Sequence, residues 1–186
     1  CRSFISDVLG IDPVLTFSFE LSALSSKEVP MPAKPVAASS LTMAHMTLPE
    51  DANAAGSVHG GVIMKHVDTC GGVVAMRHAR ANAVTASIDR LDFHQPVHVG
   101  ELLLLWASVN GVGKSSMEVG VRAEAENLLT GDRRHVASAY ITYVALDEER
   151  RPTSVPEIIP ETDEEKRRHA AYMDRRAKRL AVCRGE

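Results

Sequence analysis

The hydrophobic period of this chain changes once. From Ser57 to about Arg80 the apolar positions Val58, Val62, Ile63, Val67, Cys70, Val73 and Val74 surround more than one narrow face, which predicts a helix buried on most sides. Around it the period is two. Leu41 to Leu48 alternates weakly and stops at Pro49, as a strand before a loop does. Ala83 to Phe93 is β-branched and alternating, and Glu101 to Val109 is a strong strand. Ser115 to Glu126 sets Met117, Val119, Val121, Ala123 and Ala125 on one side, and His135 to Leu146 alternates again. Asn110-Gly-Val-Gly113 reads as a hairpin connection, with further turns at 96–100 and 130–132. One strand, a long helix and four antiparallel strands predict an α+β fold, a sheet curled round one central helix.

The ends are different. Residues 1–38 carry apolar residues without a clean period and are broken by Pro30, Pro32 and Pro35, so they read as a mobile or peripherally docked extension. They lack the charged and apolar regions of a secretory signal. Residues 39–150 form the predicted domain. Residues 151–186 hold a charged helix over Glu161 to Val182, opened by Thr162. Its basic cluster Arg175, Arg176, Lys178 and Arg179 reads first as a solvated surface and second as a phosphate grip.

The chemistry concentrates where the loop becomes the central helix. Ser57 is placed to cap that helix, and Gly60 and Gly61 fall in its first turn. Their N–H groups lack partners within the helix, carry no side chains beside them, and sit at the positive end of the helix dipole. Such amides polarise a carbonyl or hold an oxyanion. Asn53 precedes them, and Asp68 is a lone carboxylate inside the apolar helix. From Gly60 to Asp68 the helix rises about 12 Å at about 1.5 Å per residue. One helix therefore cannot easily bring both groups to one small carbonyl, whereas two antiparallel helices can. Gly71 and Gly72, each costing about 1 kcal/mol against alanine, are expected to permit that approach. The pattern thus points to a symmetric dimer with composite sites.

Composition narrows the classes. Net charge is −3 over 186 residues, without the basic surface of a nucleic-acid binder. No apolar run approaches the roughly 18 residues that span a bilayer. Cys1, Cys70 and Cys183 are odd in number and widely spaced, which suits a reducing, cytoplasmic setting. The chain opens on Cys1 rather than Met, as a fragment or a processed form does. His59 is a possible base, although a histidine at a helix start is more often a cap. His66 and Asp68 point to different helix faces, and Pro96 interrupts His94 and His98, so no metal site is expected. Gly113-Lys114-Ser115 matches only the end of a P-loop, because Ser108 stands at the earlier glycine position and a strand follows. Gly111-Val-Gly113 fails as a dinucleotide fingerprint for the same topological reason, and there is no G-x-S-x-G elbow.

Asn53-x-x-Gly56-x-x-x-Gly60-Gly61 followed by Asp68 resembles the hot-dog-fold acyl-CoA thioesterases, in the acyl-CoA hydrolase group with the brain-type enzyme and its bacterial relatives. Phe93-x-x-Pro96-Val97-x-Val99-Gly100-Glu101 and the strand ending in Tyr143-Val-Ala-Leu-Asp147 match that group too. The similarity covers about residues 41–150, with a weaker echo in the C-terminal helix. The resemblance implies dimers of hot-dog units, commonly built further into trimers of dimers, a hexamer. It implies hydrolysis of acyl-CoA to free acid and CoA with no cofactor or metal required. Asp68 would act on the attacking water, as general base or as nucleophile. Asn53 of the partner copy would orient water or thioester, and Gly60 or Gly61 N–H would polarise the carbonyl. A coenzyme A site is implied at Ala86, Ser87, Ile88, Ser115, Ser116 and Met117, with Lys114 and Arg176 meeting the phosphates. Some members hold two hot-dog units in one chain. This chain has one, so it pairs with another copy or forms half of a longer protein. The alternative is a non-catalytic hot-dog module that binds CoA or acyl-CoA. A hot-dog dehydratase would need a different His and Asp pairing.

Overall fold

The computed structural model describes residues 31–184. Among these residues lie the strands β1 (Lys34–Pro35), β2 (Leu41–Met46), β3 (Asn82–Phe93), β4 (Leu102–Val112), β5 (Ser116–Glu126), β6 (Arg133–Leu146) and β7 (Ile158–Ile159). The α-helices among the described residues are α1 (Gly60–Ala79) and α2 (Asp163–Arg184). Strands β2, β4, β5, β6 and β3 form, in that order, one antiparallel sheet, and α1 packs against all five. This is the sheet curled round one helix that the strand and helix periods predict, and the hot-dog fold that the resemblance implies.

The core lies between α1 and the concave face of the sheet. The alternation of β5 is realised directly, since Met117, Val119, Val121, Ala123 and Ala125 are all buried there. Against them α1 sets Ile63, Val67, Cys70, Val74 and Ala75. Burying each large aliphatic side chain stabilises by about 1.5–3 kcal/mol, so α1 is held mainly by removal of apolar surface from water. The Cys70 thiol, shut inside, is pushed up to about 11 by burial, which leaves it an unreactive packing group.

Three local expectations are corrected. His59, not Ser57, is the N-cap of α1: its ring Nδ1 accepts the Gly61 N–H at 2.9 Å, while Ser57 forms an isolated bridge with His98. Gly71 serves this chain's own sheet rather than a neighbouring helix, because a Cβ there would lie 2.4 Å from the Tyr143 hydroxyl on β6. Asn110 to Val112 is not a hairpin turn but the end of β4, bulged between Val109 and Gly111, and the turn falls at 113–115. The bulge lets Tyr172 of α2 lie against Gly111, where a Cβ would sit 2.0 Å from the ring.

Two members of the basic cluster of α2, Arg175 and Arg179, are neither simply solvated nor free for phosphate. Arg175 and Arg179 both reach Glu118 on β5, at 2.6 and 3.0 Å, and Arg179 also pairs with Asp89 on β3. Arg175 further stacks on the Tyr140 ring at 3.9 Å from its centroid. Thr162 does open the helix: its Oγ1 accepts the Glu165 N–H, and the Glu165 carboxylate accepts the Thr162 N–H.

Of the expected extension, residues up to 30 lie outside the described part. Its last turn is docked. Val36 is buried, β1 pairs in parallel with β7, and Lys34 Nζ donates to the His78 carbonyl. His78 is itself fully buried, within 2.9 Å of the Pro156 carbonyl at Nε2 and 3.4 Å of Ser39 Oγ at Nδ1.

Candidate active site

Asp68 lies in the third turn of α1, half-buried, where the helix passes the strand β3. Thr85 Oγ1 donates to Asp68 Oδ1 at 2.6 Å, and Tyr143 OH donates to the Asp68 carbonyl at 2.9 Å and lies 3.3 Å from Oδ1. Among the described residues nothing is hydrogen-bonded to Oδ2. The carboxylate is thus held by neutral hydroxyls at one oxygen and left open at the other. Burial, and then the Asp68 charge, push the Tyr143 phenol up, so Tyr143 remains a donor over the whole working pH range.

Thr85 is the site residue that the sequence reading missed, and helix and strand rises could have found it. Counting back from Ala79, Asp68 lies about 17 Å along the helix. Five residues of strand from Arg80 to Thr85 return about 17 Å the other way. A strand that turns back beside its helix therefore carries Thr85 level with Asp68. The turn is made by Arg80, in the left-handed region at φ 56°, with its N–H on the Met76 carbonyl.

The N-terminus of α1 divides its two glycines. The Gly61 amide is taken by His59, whereas no acceptor lies on the Gly60 N–H among the described residues. The ring of Phe93, at the far end of β3, packs beside Gly60 at 3.6 Å from where a Cβ would be. Asn53 is folded into its own loop. Its Oδ1 accepts the Ala55 and Ser57 N–H groups, and its Nδ2 donates to Ser57 Oγ at 3.0 Å, which uses one of its two N–H donors. Within one chain, Asn53 and Gly60 thus mark one end of α1 and Asp68 with Thr85 lies about 12 Å further along it.

The residues expected to meet coenzyme A fall into neighbouring groups. Ser116 on β5 and Val84 on β3 flank Val144 on β6, so the hairpin 113–116 and the segment 84–88 are two strands apart. Ala86 is the bulged residue between Thr85 and Ser87, Ile88 is exposed, and Ser87 Oγ donates to Asp89. The Arg176 guanidinium lies over the hairpin, with Nη2 3.3 Å from the Cβ position of Gly113, near Lys114, Ser115 and Ser116. Met117 differs: its side chain is in the core, so only its backbone is available to a ligand. A separate groove of about 520 Å³ lies between α2 and the convex face, lined by Trp106, Tyr140 and Arg168 among others, and shares no residue with the Asp68 site.

The chain matches known proteins over this same region. The pattern of the thioesterase superfamily matches residues 55–131. The cytosolic acyl coenzyme A thioester hydrolase of Rattus norvegicus is 36% identical over 150 residues, covering 77% of this chain and 39% of that protein. The chain therefore spans well under half of the mammalian relatives it matches. YkhA of Bacillus subtilis, described as an uncharacterized acyl-CoA thioester hydrolase, is 39% identical over 127 residues, 68% of this chain and 74% of that one. Among solved structures, a hexameric acyl-CoA thioesterase superposes with a TM-score of 0.80 at 37% identity, covering 82% of this chain and 98% of that one. The acyl-CoA hydrolase of Staphylococcus aureus, in complex with butyryl coenzyme A and coenzyme A, gives 0.76 at 35% identity, over 81% of this chain and 92% of that one. The chain belongs to the thioesterase superfamily, in its hot-dog acyl-CoA thioester hydrolase branch. Alanine variants of the Staphylococcus aureus hydrolase were solved at an Asn, an Asp and a Thr whose intervals along the chain equal those between Asn53, Asp68 and Thr85 here.

Proposed function

We propose that this chain hydrolyses acyl-CoA thioesters to free acid and coenzyme A, at composite sites formed by two copies. The observation that carries this reading is the hydrogen bond from Thr85 to Asp68 beside the β3 edge of the sheet. Strand β3 is 12 residues long and, among the described residues, pairs with β6 alone. Thr85 is near one end and Phe93, against Gly60, is at the other. Antiparallel pairing of β3 with its copy, about a two-fold axis near Asp89, sets Asp68 and Thr85 of one protomer beside Gly60 and Asn53 of its partner. Three such dimers forming a hexamer extend the same logic, in keeping with the hexameric relative.

In that arrangement Asp68 takes a proton from water, and the water oxygen attacks the thioester carbonyl carbon. The unpaired Gly60 N–H, at the positive end of α1, meets the oxyanion. Asn53 of the other protomer supplies its spare N–H to the water or the carbonyl. Collapse breaks the carbon–sulfur bond, and the proton held by Asp68 goes to the departing thiolate. Lys114 and Arg176 face the phosphates of coenzyme A, while Ser115, Ser116 and the edge at Ala86, Ser87 and Ile88 pair with its pantetheine amides. No step calls on a metal or a cofactor. Like its cytosolic mammalian relatives, the protein works in the cytoplasm.

Thiol release from acyl-CoAs of short to long chain, with Asp68→Asn alongside, tests this. Turnover should fall by about 10²–10⁴-fold in the variant while coenzyme A still raises its Tm. A wild-type protein that cleaves none of the panel yet is stabilised by coenzyme A would instead be a binding module.

A further inference from the structure

The loop that carries Asn53 is tied down by a group of side chains with no part in the chemistry above. Asp51 sits at its start, in the 3₁₀ turn Pro49–Asp51. Its Oδ2 accepts the Leu48 N–H at 2.9 Å and the Nε2–H of His45, on β2, at 3.2 Å. Its backbone carbonyl accepts the N–H of His59, the cap of α1, at 2.8 Å. Asp51 therefore joins the two ends of the Asn53 loop to each other and to the edge strand. Behind it, the His45 ring stacks on His66 of α1, centroids 3.9 Å apart at 29°.

We propose that His45, His66 and Asp51 are positioning residues that hold the Asn53 loop and the start of α1 in register, and that they release the loop when both stacked imidazoles are protonated. The proposal rests on the role assigned above to Asn53 and Gly60. The charged groups facing the pair are few. The turn contributes Asp51 and α1 contributes Lys65, while the residue opposite His45 on β4 is Leu103. Protonation of both rings would set two cations face to face beside one anion, Asp51. Burial foremost, then His45, hold the His66 imidazole below its ordinary range, with Lys65 adding and Asp51 opposing. The Leu48 N–H foremost, with His45, holds Asp51 below the carboxylate range, so Asp51 is still ionised when the stack takes its second proton. The first event on acidification is therefore at the histidines.

Histidine titration by NMR and amide hydrogen exchange over residues 49–61, between about pH 7 and 5, test the latch without relying on turnover. In the wild type, protection of this loop should fall by on the order of tenfold on acidification while β5 is unaffected. His66→Phe, which keeps a ring on His45 but cannot titrate, should stay protected, and the acid limb of its kcat profile should shift to lower pH. Asp51→Asn should loosen the loop at every pH, and Asp51→Glu should partly restore it. The same acid-dependent exchange in His66→Phe as in the wild type would overturn the proposal. So would two histidines titrating independently at ordinary values. Absence of acyl-CoA turnover at all would overturn the hydrolase reading instead, and leave the exchange result to decide the latch.

Discussion

Asp68 and Glu118 are both carboxylates, half-buried and fully buried, one on each side of the same sheet, and their partners set them apart. Asp68, on the concave side, is held by two neutral hydroxyls at one oxygen and keeps the other oxygen open. Glu118, on the convex side, is completely enclosed and faces Arg175, Arg179 and the Asn110 amide. Neutral donors orient a carboxylate without neutralising it, so Asp68 can still take a proton. Two guanidiniums pair with Glu118 and make it a staple for α2. The helices follow the same division. Apolar burial holds α1, whose one central carboxylate is then free for chemistry, whereas α2 is fastened by ion pairs and two tyrosines.

Substitutions that exchange the two roles should separate them most sharply. Asp68→Asn is expected to cut turnover by about 10²–10⁴-fold with little change in Tm, and Glu118→Gln to do the reverse. Parallel assays of thiol release and thermal unfolding read both. Glu118→Ala leaves the part-buried Arg175 without its anion, while Arg179 keeps Asp89, and should destabilise by about 3 kcal/mol in urea unfolding, with α2 losing exchange protection first. Thr85→Ala should lower kcat by roughly ten- to a hundredfold, from loss of a hydrogen bond to a charged group of about 1.5–3 kcal/mol, and Thr85→Ser should recover most of it.

The smallest effect is a pH dependence of stability. Burial is the foremost cause holding His66, His78 and His135 below the ordinary histidine range. Each binds its proton more readily unfolded than folded. Stability should therefore decline as pH falls below the unfolded value of about 6.5, and stop declining below the folded values. Calorimetry from neutral to mildly acid pH measures this, and His78→Gln should flatten the slope.

These contrasts also mark what the sequence discloses. Alternation in β5 told which residues face α1, because burial on one face leaves a period of two. It could not tell that Glu118 is enclosed, since that depends on α2 folding back from 45 or more residues further on. Asn53, Gly60 and Asp68 stood out as candidates because an unusual residue type stands in an unusual place. Thr85 was not, being an ordinary threonine in a β-branched strand, and only the length match between helix and returning strand exposes it. The glycine at 71 signalled a close approach, but not that the approaching group is Tyr143.

The most direct test of the composite site is complementation. Asp68→Asn and Asn53→Ala homodimers should each be nearly inactive. Unfolded together in equal amounts and refolded, half of the dimers would be mixed, and each would hold one intact site of its two. The account predicts recovery of about a quarter of wild-type turnover. Mixed dimers as inactive as either parent would place Asn53 and Asp68 in the same protomer's site and contradict it.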